Sequence, residues 1–141
     1  TWLDQVVEAW TRRAASAGQL LVPICTARAR PVAAPWARLR QSVDLLLDNA
    51  VVHAAPGPLR VELGIDESGT IVCRVVDHGP GLDEHQLATA GEPFVRFGDR
   101  GRLGIGLAVA SRLVRAGGGA LELRSDGAST QAIVSLPTSE H

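Results

Sequence analysis

Hydrophobic positions recur along the chain with two different periods, and the switches between them mark out its elements. From Leu3 to about Ala17, the residues Leu3, Val6, Val7, Trp10 and Ala14 fall at helical spacing with Asp4, Glu8, Arg12 and Arg13 opposite, which predicts an amphipathic helix ended by Gly18. Leu20 to Cys25 reads as a short apolar strand, and Pro23, which has no backbone donor, argues for an edge position. Thr26 to Ala34 is mixed, with a candidate short strand around Val32. Pro35 suits the first turn of a second helix carrying Leu39, Val43, Leu46, Leu47, Ala50 and Val51, which should run to about His53, before Pro56-Gly57-Pro58. Leu59, Val61, Leu63 and Ile65 then alternate with Arg60, Glu62, Gly64 and Asp66, and after Glu67-Ser68-Gly69 comes the apolar run Ile71 to Val76: an antiparallel hairpin. A short helix is expected near Asp83, a loop over 91–104, and a third long helix from about Ile105 to Ala116 on Leu107, Ala110, Leu113 and Val114. Gly117-Gly118-Gly119 ends it, and a last hairpin joins Leu121–Arg124 to Thr130–Leu136 through Asp126-Gly127. The order predicts an α/β (α+β) two-layer sandwich: a mixed, mostly antiparallel five-stranded sheet with three main helices on one face.

Composition narrows what such a fold can do. At 141 residues and 14.8 kDa, with 45% hydrophobic and 21% charged residues, the chain is expected to form a single domain over residues 1–141 with a real core. A net charge of -1 offers no global field for nucleic acid or acidic membranes, and no apolar run approaches the ~18 residues that span a bilayer. All fourteen basic residues are arginine, which removes Walker-A chemistry and lysine Schiff bases. The chain has no methionine and starts at Thr1, so it reads as an excised piece of a longer protein. Cys25 and Cys73 lack CxxC or metal spacing; each lies in an apolar run and is expected to be a reduced, buried thiol in a reducing compartment.

Four local patterns carry candidate chemistry, and each also has a plain structural reading. Asn49 and His53 share a helix face at four-residue spacing; an amide oxygen there suits one position on an octahedral Mg²⁺, or is simply solvated. Asp77 closes an apolar strand before Gly79 and Gly81, so a carboxylate could accept from an exocyclic amine while glycine backbone approaches a planar ring; Asp-x-Gly is also a common turn. Gly101-Arg102-Leu103-Gly104-Ile105-Gly106-Leu107 opens a helix whose N–H groups could meet an anion, or is a flexible loop entering a helix; the strand that a dinucleotide fingerprint requires is missing before it. In Phe94-Val95-Arg96-Phe97 the aromatics could anchor a loop while Arg96 reaches a phosphate, or Arg96 is a surface charge. His78 and His85 are given no role.

Taken together, Asn on a helix, Asp-x-Gly-x-Gly after a strand, Phe-x-x-Phe and Gly-x-Gly opening a helix resemble, over residues 36–137, the ATP-binding family of gyrase, MutL and the histidine kinases. Leu39-Arg40-Gln41, Leu46-Leu47-Asp48-Asn49-Ala50, Gly104-Ile105-Gly106-Leu107-Ala108 and Gly118-Gly119 look most like the catalytic and ATP-binding domain of a bacterial sensor histidine kinase. The resemblance implies that Asn49 coordinates a Mg²⁺ bridging the phosphates of ATP, that Asp77 binds the adenine amino group, and that Gly79 and Gly81 admit adenine and ribose. It further implies a lid from about Asp83 to Leu103 and a phosphate cradle at Gly104, Ile105, Gly106 and Leu107. Asn49 and Arg96 would then be the catalytic pair, with His53 beside the nucleotide.

The departures are Val52, where relatives often carry Lys or Arg, Leu45 in place of a second Asn, and only six residues between Phe97 and Gly104. His53, Arg96 and Arg100 are the nearby groups that could restore positive charge. Gyrase-type ATPases place a Glu four residues before the Mg²⁺ asparagine, and Leu45 cannot replace it. The expectation is therefore transfer of the γ-phosphoryl group to a histidine on a separate dimerisation domain, and onward signalling to a response regulator. This piece alone would be monomeric, the cytoplasmic part of a membrane-bound sensor. The alternatives are a free-standing serine kinase of the anti-sigma-factor type and a degenerate nucleotide-binding interaction module.

Overall fold

A computed structural model describes residues 2–26, 35–53, 57–77, 101–125 and 129–138. The elements are α1 (Trp2–Ser16), β1 (Gln19–Cys25), α2 (Trp36–His53), β2 (Gly57–Ile65), β3 (Thr70–Asp77), α3 (Gly101–Ala116), β4 (Ala120–Ser125) and β5 (Thr130–Pro137). The strands form one sheet in the order β1-β2-β3-β5-β4. β1 pairs parallel with β2, Leu21 opposite Leu59, while the other pairings are antiparallel, so the sheet is mixed as expected. Pro23 does lie on an edge strand, where its missing N–H costs no ladder bond.

Period-2 alternation sends Leu59, Val61 and Leu63 of β2, Ile71, Cys73 and Val75 of β3, and Val134 and Leu136 of β5 to one face. There they meet the stripes Leu3, Val6, Trp10 and Ala14 of α1, Leu39, Val43, Leu46, Leu47 and Ala50 of α2, and Ala110 and Val114 of α3. Each fully buried Leu or Val contributes roughly 1.5–3 kcal/mol relative to exposure. The opposite face carries Arg60, Glu62, Arg74, Glu122 and Arg124, whose positions flank the two apolar residues buried on that side, Val76 and Ile133.

The helix ends follow local chemistry. At α3, Gly118 adopts φ 82° and donates to Arg115 O at 2.9 Å, while Gly119 donates to Val114 O at 2.9 Å, the paired bonds of a Schellman cap. A Cβ on Gly119 would sit 1.9 Å from the Ser135 carbonyl oxygen, so only glycine lets this turn press onto β5. α1 docks on α2 through Trp2, whose Nε1 donates to Trp36 O at 3.2 Å, and through Trp10, whose Nε1 donates to Asp44 Oδ1 at 2.7 Å.

Two sequence expectations are corrected. α3 begins at Gly101, not near Ile105, and so extends back into the stretch read as loop. Its two glycines at 104 and 106 weaken the local signal by about 1 kcal/mol each without breaking the helix. Cys25 is exposed at the end of the edge strand, whereas Cys73 is buried in the central strand, so only one thiol is in the core. The expected strand around Val32 and the short helix near Asp83 lie outside the described residues.

Candidate nucleotide site

The topology gathers the candidate residues at one end of the sandwich. β2 and β5 start at that end and β3 and β4 finish there, since Arg60 pairs with Val76, Thr130 with Asp77 and Ser125 with Thr130. β1 starts there too, with Gln19 opposite Gly57. The last turn of α2 is fastened above it by Gln19 Nε2, which donates to Ala50 O at 3.1 Å in a buried setting. The far end of α2 is tied to the C-terminus of α3: Arg38 Nη1 donates to Leu113 O at 2.8 Å, and its stem passes where a Gly117 Cβ would be, 2.5 Å from Arg38 Cδ. That guanidinium also complements the negative end of the α3 dipole.

α2 and α3 therefore run antiparallel. Asn49, eleven residues beyond Arg38, is roughly 16 Å further along α2, which brings it level with the first turns of α3. Asp77 is the last inward-facing residue of β3, on the same face as Val75 and Cys73, and is half-buried. Asn49 near the end of α2, Asp77 at the end of β3 and the first turns of α3 therefore lie at the same end of the sandwich.

Asn49 is only 7% exposed, yet among the described residues its Nδ2 has no hydrogen-bond partner. An unsatisfied buried polar group costs about 1–3 kcal/mol, and a bound ion or water is one explanation for keeping it; Gln19 Oε1 and Arg60 Nε are in the same state. A half-turn of the amide exchanges Nδ2 and Oδ1 and offers a hard oxygen. Among the described residues no three His, Cys, Asp or Glu side chains converge on a metal position. A cation at Asn49 would take its other ligands from phosphate oxygens and water, which is how Mg²⁺ is usually held and which fits an amide donor.

The groups around this end are otherwise committed. Asp48 pairs with Arg13 at 2.9 Å, Asp44 accepts from Arg40 and Trp10, and the Arg13 guanidinium lies 4.3 Å from the Trp10 ring centroid. Leu45 lines a groove of about 480 Å³ with Trp10, Leu113 and the side chains of Arg13, Gln41, Asp44 and Asp48, an apolar residue with no base to offer. Burial, with Glu62 adding to it, pushes the Cys73 thiol up to about 12, so it is no nucleophile at neutral pH. Val52 is 47% exposed in the last turn of α2, with no charge to present to a phosphate.

Of the remaining expected site residues, Gly79, Gly81 and Arg96 lie outside the described residues, as does the lid. His53 ends α2, and Gly104, Ile105, Gly106 and Leu107 lie within the first two turns of α3; of these five residues the backbone alone is described. Gln19 and Arg38, which lock the two ends of α2, were not singled out from sequence. The signal for Gln19 was a polar residue at an inward position of an apolar strand, lost by starting that strand at Leu20.

Residues 36–140 match the family described as histidine kinase-, DNA gyrase B-, and HSP90-like ATPases, and the chain belongs to that family. Within it, the resemblance is to the ATP-binding domain of sensor histidine kinases. A probable sensor histidine kinase of Mycobacterium tuberculosis, TcrY, is 37% identical over 117 residues, covering 76% of this chain and 24% of TcrY. The Escherichia coli sensor protein TorS is 38% identical over 89 residues, covering 62% of this chain and 10% of TorS. The chain thus spans a quarter or less of these relatives. Full-length ShkA in complex with AMPPNP superposes with a TM-score of 0.85 at 29% identity, over 99% of this chain and 30% of ShkA. The catalytic domain of the histidine kinase ThkA, at 15% identity, shares the fold with a TM-score of 0.81, over 97% of this chain and 90% of that domain.

Proposed function

We propose that this chain, as a single catalytic and ATP-binding domain over residues 1–141, binds Mg-ATP at the Asn49–Asp77 end and donates the γ-phosphoryl group to a histidine on a separate dimerisation domain. The observation that carries this reading is the buried Asn49 amide with an unpartnered Nδ2, level with the start of α3. Asn49 would hold Mg²⁺, which neutralises phosphate charge when bound. Asp77 would accept from the adenine amino group and fix the base at the end of β3. The first turn of α3, from Gly101, would direct its N–H groups at the phosphates, and Gly104 and Gly106 would let them approach the helix flank. Ile105 and Leu107 would contribute backbone only, with His53 and Arg96 supplying charge that Val52 does not.

Phosphoryl transfer is mostly positioning and charge stabilisation, which these groups can provide without a base at Leu45. That favours a nucleophile brought by another segment over activated water, and it agrees with relatives named as sensor kinases. The phosphorylated histidine would in turn serve a response regulator. Among the described residues no helix is long and apolar enough to cross a membrane. We infer that this part lies on the cytoplasmic side of a sensor and is monomeric by itself. The test is calorimetry with ATP, with and without Mg²⁺. Asp77→Asn, which loses a charge-assisted hydrogen bond, is expected to weaken ATP at least ~10-fold. Undiminished affinity in Asp77→Asn would place the adenine elsewhere.

A further inference from the structure

We propose that Gln19 is a positioning residue for Asn49, fixing from the sheet the helical turn that would hold the metal. This rests on the Mg-ATP reading above and adds to it a residue outside the stretch that matches the family, which begins at residue 36. Gln19 is 4% exposed at the first position of β1, and its Nε2 donates to Ala50 O at 3.1 Å. Ala50 follows Asn49 directly and lies in the last turn of α2, where intrahelical donors run out and helices fray. Gln19 is itself rigid: its backbone is in register with Gly57, Gly57 N donates to Gly18 O at 3.1 Å, and the next inward residue, Leu21, is in the core.

A second tie to the same turn is weaker. Arg13 reaches Asp48 at 2.9 Å, but its side chain is 57% exposed, and such pairs contribute about 0–1 kcal/mol. Breaking the buried amide bond instead leaves a carbonyl in a site closed to water, at about 1–3 kcal/mol. Beside the core packing of Leu46, Leu47 and Ala50, the Gln19 bond is thus the stronger of these two polar ties. A metal ligand works only when its orientation is fixed to about half an ångström, so loosening this turn should be felt at the metal before it is felt by the adenine.

The experiment compares wild type, Gln19→Leu, Gln19→Glu (similar in shape but no donor when ionised) and Ile71→Val as a core control of comparable stability loss. Hydrogen exchange without nucleotide reads the turn directly. Protection of the Val52 and His53 amides should fall about tenfold in the Gln19 variants while residues 43–47 keep theirs, and the control should show no such local loss. Calorimetry then reads the ratio of ATP affinities with Mg²⁺ and with EDTA. That ratio should fall about tenfold in the Gln19 variants, with the EDTA affinity unchanged. Unchanged protection, or a wild-type ratio in both Gln19 variants, overturns the positioning role while leaving Mg-ATP binding standing. A wild-type protein that gains no affinity from Mg²⁺ would instead sink the metal reading and this inference with it.

Discussion

Asn49 is a residue whose cost to the fold and proposed value to the site have opposite signs. Its buried Nδ2 lacks a partner, and the desolvation of such a donor is worth about 1–3 kcal/mol. Replacing it with a residue of similar volume and no polar atoms removes that cost. Asn49→Leu is therefore expected to leave the melting temperature of the nucleotide-free protein unchanged or raised, by up to about 1 kcal/mol of stability, while abolishing the gain in ATP affinity from Mg²⁺. Thermal unfolding and calorimetry on the same preparation check both halves. A loss of more than about 2 kcal/mol in the nucleotide-free protein would mean that Asn49 supports the core through its own packing instead. Trp10, Asp44, Arg13 and Asp48 show the contrast: neighbouring polar groups that are tied to one another.

At the scale of elements, the β2–β3 hairpin is specified largely by its own turn. Gly69 takes φ 84°, Gly69 N donates to Asp66 O at 3.1 Å, and one carboxylate oxygen of Asp66 accepts from Ser68 N at 2.9 Å, Ser68 Oγ at 2.7 Å and Thr70 N at 3.0 Å. These bonds, the Ser68 hydroxyl foremost and then the Thr70 amide, hold the Asp66 carboxyl below its ordinary value of 3.8. A group with a lowered folded value stabilises above its unfolded pKa and loses that contribution as pH falls through the folded one. Asp66→Asn should thus melt below wild type at neutral pH, with the gap narrowing on acidification below 3.8. Parallel melting curves across that window would remove the turn from the account. The same hairpin explains what was legible in the sequence. Strands with clean alternation and helices with a wide apolar face were readable because burial imposes the period. The start of α3 was not, since glycines at 104 and 106 are poor helix formers and look like loop. The exposure of Cys25 was not either, because it depends on which strand is the edge and where helix cover stops. In the site, only the resemblance to the ATP-binding family put Asn49 and Asp77 together, and the unsatisfied amide and the Gln19 tie are long-range facts that no local pattern encodes.

For the whole molecule, the decisive feature is that β3, α2 and α3 bring the ends proposed to hold the nucleotide to the same pole, while Arg38 and the glycine cap of α3 lie at the opposite pole. Such a body can hold a nucleotide without supplying its acceptor. Leu45, one turn before Asn49, faces the groove shared with Trp10 and Leu113 and cannot orient a water, so hydrolysis in place of transfer should be slow. The expectation is that Mg-ATP at about 100 times its dissociation constant stabilises the chain by about 2.7 kcal/mol, seen as a higher melting temperature. Incubation with γ-labelled ATP should nevertheless leave no acid-labile phosphate on the chain. Label should appear only when a dimeric helical hairpin bearing an exposed histidine is added, and on that partner. Robust acid-labile label on the chain alone would show that it carries its own acceptor. Stabilisation followed by rapid release of inorganic phosphate would show that water reaches the γ-phosphoryl group without a base at position 45, and would move the protein from the transferring to the hydrolysing side of its family.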